Sequence, residues 1–131
     1  MASIFTKIIN REIPGYIVAE DDNYIAILDV FPVKWGHTLV IPRQETDYIF
    51  DMDESAYQGL FTFAKKVATG LKTVVPCVKI GVAVIGLEVP HVHVHLVPMN
   101  TVGDLNFSNP KLKFTDEEMG KLADEIKAAI G

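Results

Sequence analysis

The sequence predicts an α+β fold: an antiparallel five-stranded sheet with a long helix and shorter helices packed on it. Three observations carry this. Five short apolar runs rich in Val and Ile are bounded by Gly, Pro, Asp and Asn, as strands are. One long segment repeats its apolar residues at helical spacing. The connections between the first three runs, and between the last two, are short, which favours antiparallel pairing over βαβ crossovers. At 131 residues the chain reads as one domain spanning 1–131, large enough to bury a real core.

Each element has a local reason. Ser3 is placed to cap a short helix with Ile4, Phe5, Ile8 and Ile9 on one side, ended by Pro14-Gly15. Residues 16–20 and 24–29 read as a hairpin around the turn Asp21-Asp22-Asn23. A loop with Pro32 and Gly36 leads to a third strand over 37–41, stopped by Pro42. Asp53 is the expected N-cap of a helix reaching about Val75, whose buried face is Tyr57, Leu60, Phe61, Ala64, Val67, Ala68 and Leu71. Residues 78–85 are apolar on both faces and read as a central fourth strand. Gly86 to Pro90 is a tight connection, and 91–98 is the fifth strand. Residues 99–110 read as irregular loop. Thr115 with Glu118 forms a capping-box signature that opens a last helix through Ile130.

Composition narrows the function. Apolar residues are 49% and charged residues 22%, an ordinary globular balance. No stretch is long enough to span a membrane, and the N-terminal segment lacks a signal-peptide layout. The single cysteine, Cys77, excludes an internal disulfide and a cysteine-based zinc cage. These features point to the cytoplasm. A net charge of −5 argues against a broad nucleic-acid surface, while a local site for one small anion is still compatible with it.

The most informative run is His91-Val92-His93-Val94-His95-Leu96-Val97-Pro98, which holds three of the four histidines. In a strand, alternate residues share a face, so His91, His93 and His95 lie on one side and Val92, Val94 and Leu96 on the other. Three imidazoles in a row are costly to desolvate without a use. Neutral imidazole is a nucleophile near neutral pH, and further imidazoles with backbone N–H groups can hold developing charge on phosphate oxygens. Two other readings stand beside this one. A three-histidine metal site would have to span about 13 Å along the strand, too wide for one ion, although an adjacent pair with an outside ligand such as His37 could share a metal. A buried structural role is the third.

The pattern His-apolar-His-apolar-His-apolar-apolar resembles the signature of the histidine triad (HIT) family. Ile4-Phe5-Thr6-Lys7-Ile8-Ile9 with Glu12-Ile13-Pro14, and Asp29 with Gly36-His37-Thr38-Leu39-Val40-Ile41-Pro42, are similar to that family's earlier blocks. The resemblance covers residues 3–98 and implies a HIT-like fold. It also implies a hydrolase or transferase that cleaves a nucleoside monophosphate, purine preferred, from a leaving group at the α-phosphorus, with no cofactor and no metal. In that reading His93 is the nucleophile. His95 donates to a phosphate oxygen, His91 orients His93 through its carbonyl, and His37 supports the network. Asp29, next to Val30, takes the ribose hydroxyls; Ile4, Phe5, Ile8, Ile27 and Leu39 line the base pocket. Gly86, Leu87 and Glu88 lie in the loop that faces the phosphates or leaving group. A homodimer paired through the long helix and a central strand is also implied, and neither nucleic acid nor membrane is a partner.

One departure stands out. Family members carry a polar pair in the loop before the triad, where this chain has Leu87-Glu88. Backbone N–H groups could still bind phosphate there. Glu88 could repel a polyphosphate tail, receive an amine leaving group or carry a proton. Two rivals to the hydrolase are a nucleotide-binding module of low turnover and a histidine metalloprotein.

Overall fold

The computed structural model describes residues 2–131; residue 1 lies outside the described residues. The elements are α1 (Ile4–Ile9), β1 (Ile17–Glu20), β2 (Tyr24–Leu28), β3 (Thr38–Pro42), α2 (Glu54–Val74), β4 (Lys79–Ala83), β5 (Val94–Met99) and α3 (Asp116–Ile130). Short 3-10 turns at Ile49–Asp51 and Val102–Leu105 interrupt the connections. The strands form a five-stranded sheet of order β1-β2-β3-β5-β4, every neighbouring pair antiparallel. This is the expected α+β architecture.

Local chemistry accounts for the boundaries. Ser3 Oγ accepts the Thr6 N–H at 3.1 Å and starts α1, which ends early at Asn10 because Arg11 turns into the left-handed region at φ 62°. In the hairpin, Asp21 Oδ1 accepts the N–H groups of both Asn23 and Tyr24 at 2.8 Å, an Asx turn. Asp53 occupies the N-cap of α2, but its carboxylate makes no capping bond. Thr115 and Glu118 form both bonds of the capping box at the start of α3.

The sheet buries both faces. On one, Val40, Val94 and Leu96 pack with Leu60, Val67 and Leu71 of α2, and α3 brings Leu122 and Ile126 over β1 and β2. On the other, Ile25, Ile27, Leu39 and Ile41 pack with Phe5 of α1. Burying each Ile or Leu stabilises the fold by roughly 1.5–3 kcal/mol. The strand alternation therefore does what it predicted: Val92, Val94 and Leu96 enter the α2 side, and the histidines point to the α1 side.

Three expectations need correction. The fourth strand is not central: β4 is an edge, and Val82 is 52% exposed on it. Its apolar character reflects an open surface rather than burial between two layers. The β5 ladder begins at Val94, not at residue 91. Upstream, the backbone bonds elsewhere, with His91 N–H to Val89 O at 2.8 Å and Val92 N–H to Thr46 O at 2.7 Å. On α2, Phe63 is buried whereas Phe61 is exposed. Phe61 sits one residue past Leu60, about 100° around the helix from the buried stripe.

Candidate active site

The register of the sheet assembles the site. Leu39 of β3 stands opposite His95 of β5, which puts His37, two residues earlier, on the same face beside it. His37 Nε2 and His95 Nδ1 are 2.9 Å apart. The rings of His93 and His95 are 4.8 Å apart, and Phe5 of α1 packs edge-on against His93 at 4.8 Å and His91 at 5.9 Å. All four histidines are buried.

Backbone groups determine which nitrogen carries each proton. Val33 N–H donates to His37 Nδ1 at 3.2 Å, so the neutral ring holds its proton on Nε2 and donates to His95 Nδ1. His95 must then carry its own proton on Nε2. His91 Nε2 donates to the Pro42 carbonyl at 2.7 Å, leaving Nδ1 to accept from the Ser3 hydroxyl at 2.7 Å. His93 Nδ1 donates to the His91 carbonyl at 2.7 Å, which leaves the Nε2 lone pair free in the neutral ring. The result is a nucleophilic nitrogen beside an N–H donor.

Electrostatics keep the supporting rings neutral. Burial pushes His37 down to about 4, with Lys111 and His93 adding to the effect. Burial again leads at His95, helped by His93 and His37, and takes it to about 3. His91 is lowered by burial, partly opposed by the Pro42 carbonyl and by Glu45. The 3.7 Å approach of Asp29 Oδ2 to His37 Nε2 therefore involves an uncharged ring at neutral pH and is no ion pair.

Asp29 follows β2 directly. One of its oxygens accepts the Phe31 N–H at 2.8 Å, so the residue also turns the chain into the next loop. Of the expected base-pocket residues, Phe5, Ile27 and Leu39 are buried in one cluster and Ile8 packs against it, while Ile4 is exposed on the outer side of α1. Val30 is exposed beside Asp29. Gly86 takes a left-handed φ of 69° in the loop before the triad, and Leu87 and Glu88 project from that loop as exposed residues. Sequence reasoning missed Phe107, whose ring packs 4.5 Å from His95, and Lys111 beside it. It also missed Glu45. Among the described residues, those close enough together to share a metal ion are Asp29, His37 and His95, whose ligand atoms lie within 4.8 Å of one another; His91 and His93 fall outside that group. The facing nitrogens of His37 and His95 are already bonded to each other.

Comparison with known proteins identifies the family. Residues 10–102 match the HIT domain model. The chain belongs to the HIT family. An uncharacterized HIT-like protein of Borreliella burgdorferi is 33% identical over 97% of both chains. An adenosine 5′-monophosphoramidase of Saccharomyces cerevisiae is 30% identical over 98% of this HIT chain and 83% of its own length. A Hit-like protein from Bartonella henselae, described as involved in cell-cycle regulation, superposes with a TM-score of 0.83 at 30% identity, covering 97% of this chain and 95% of its own. Among the described residues no helix is long and apolar enough to cross a membrane.

Proposed function

We propose that this HIT protein hydrolyses a nucleoside 5′-monophosphate conjugate, purine and AMP-like, through a covalent nucleotidyl-histidine intermediate. The observation that carries the reading is the 2.7 Å bond from His93 Nδ1 to the His91 carbonyl, which turns the unprotonated Nε2 outward beside the His95 N–H. The relative named adenosine 5′-monophosphoramidase supports the substrate class.

In the proposed route His93 Nε2 attacks the α-phosphorus. An N–P bond forms as the bond to the amine, alcohol or phosphate leaving group breaks, and a departing amine or alcohol takes a proton from solvent water. His95 Nε2–H donates to a phosphate oxygen as charge builds there, and the His91 carbonyl stabilises the positive ring of the intermediate. Water then attacks phosphorus and gives up a proton to solvent, the N–P bond breaks with its electron pair returning to His93 Nε2, and the monophosphate leaves with His93 neutral again. Asp29 accepts from the ribose hydroxyls, and Phe5, Ile8, Ile27 and Leu39 enclose the base, with Ile4 at the rim. Gly86, Leu87 and Glu88 flank the leaving group. The route needs no metal and no organic cofactor, and residues 1–131 act as one domain. We also assign a homodimer to this reading, since the β4 edge leaves Val82 open to solvent, with Val78 just before the strand and Ile85 just beyond it exposed as well.

Turnover of an adenosine 5′-phosphoramidate tests the proposal. The wild type is expected to release AMP, and His93→Ala to lose at least about 10³-fold of that rate while still binding AMP. Equal inactivity of both proteins, with AMP bound by each, would leave a binding module instead.

A further inference from the structure

Glu45 lies just beyond β3 and outside the histidine row. Its Oε1 accepts the Ser3 N–H at 2.7 Å and the Thr6 hydroxyl at 2.7 Å, and stands 3.7 Å from His91 Nδ1. Ser3 in turn donates its hydroxyl to His91 Nδ1 at 2.7 Å. The segment carrying Glu45 grips the triad twice more by backbone, through Pro42 O to His91 Nε2 at 2.7 Å and Thr46 O to Val92 N at 2.7 Å. One carboxylate oxygen thus joins the segment after β3 to the first turn of α1, whose Ser3 hydroxyl holds the first triad histidine. These bonds, the Ser3 N–H first and the Thr6 hydroxyl next, hold Glu45 as a carboxylate, down at about 2.

Two routes lead from this knot to His93. The first runs through His91, whose ring is held at both nitrogens and whose carbonyl receives the His93 Nδ1 proton. The second runs through α1. Six residues are too few for a helix to be stable alone. Glu45 pins its first turn, and that turn carries Phe5 against the His93 ring.

We infer that Glu45 is a positioning residue for the histidine chemistry, acting through Ser3, Thr6 and His91 to hold His93 in its reactive tautomer and orientation. The inference rests on the reading that His93 attacks phosphorus. The tautomers of His91 and His93 can be observed without turnover.

The experiment compares wild type, Glu45→Ala, Glu45→Gln and Thr6→Val by two measurements. Long-range 15N–1H spectra of the imidazoles report the tautomers. Steady-state kinetics on adenosine 5′-phosphoramidate report the chemistry. The wild type should show His91 protonated on Nε2 alone and His93 on Nδ1 alone. Glu45→Ala should mix both patterns and lower kcat roughly tenfold or more, as loss of a reacting group's alignment does, with KM changing less. Glu45→Gln keeps an oxygen that accepts from Ser3 and Thr6, and should restore the tautomers and most of kcat. Thr6→Val removes one of the two donors and should fall between them. Wild-type tautomers in Glu45→Ala overturn the proposal, whether or not kcat falls. If the wild type turns nothing over, the hydrolase reading fails, and the spectra alone still decide the role of Glu45.

Discussion

Acid should destabilise this protein steeply between about pH 6.5 and pH 4, and the cause is the pair His37 and His95. Both are held well below the ordinary 6.5, His37 at about 4 and His95 at about 3, chiefly by burial. The sign follows from proton binding. In this window the unfolded chain takes up protons that the folded chain refuses, so stability is full above about 6.5 and is lost as the pH falls. A pH of about 5 lies roughly 1.5 units below each ring's unfolded value and still above its folded one. At about 1.36 kcal/mol per unit this is roughly 2 kcal/mol for each ring, and about 4 kcal/mol for the pair. Against a total of about 5–15 kcal/mol for a typical domain, that is a large share. The assay is urea unfolding followed by Trp35 fluorescence at about pH 7.5 and about pH 5, with linear extrapolation to water. His37→Gln keeps an N–H that can donate to His95 and removes one titration. It should therefore lose about 2 kcal/mol less than the wild type, and His91 and the carboxylates, common to both proteins, cancel in that difference. A wild-type loss below about 1 kcal/mol, or equal losses in the two proteins, would refute the argument from burial.

Other perturbations test separate parts of the fold. Gly59→Ala drives a methyl group into the Tyr24 hydroxyl, which donates to the Ala56 carbonyl at 2.8 Å, and should cost about 1–3 kcal/mol in urea unfolding. Thr115→Ala removes the side-chain half of the capping box on α3 and should cost about 1 kcal/mol, with faster amide exchange confined to the first turn of that helix. Val82→Lys charges the open edge of β4; sedimentation should show wild-type dimers and monomers of the variant, and a dimeric variant would remove β4 from the interface.

Much of the site was legible because it is local in the chain. Alternation in residues 91–96 sets which side each imidazole faces, and any sheet that buries Val92, Val94 and Leu96 must obey it. The hairpin turn and the caps of α1 and α3 are likewise short-range hydrogen bonds, readable from Asp21, Ser3 and Thr115. The place of β4 was not legible. A strand apolar on both faces fits the middle of a sheet and an edge that presents apolar side chains to solvent equally well, and only the pairing with β5 distinguishes them. The exchange of Phe61 for Phe63 on α2 has a similar origin: both lie near the apolar stripe, and the sheet decides which one it covers.

The strand and helix repertoire, and a single row of histidines sharing one face, follow from local sequence alone. Tertiary structure decided how those histidines are tuned. The proton on His95 is placed by His37, 58 residues away, and behind it by the Val33 N–H. The ring of His91 is held by Ser3, 88 residues away, and Ser3 by Glu45, 42 residues from it. Periodicity reports which way a side chain points, because that depends on its immediate neighbours. Tautomer, burial and alignment depend on which distant groups the fold brings within about 3 Å, and no local pattern records that distance.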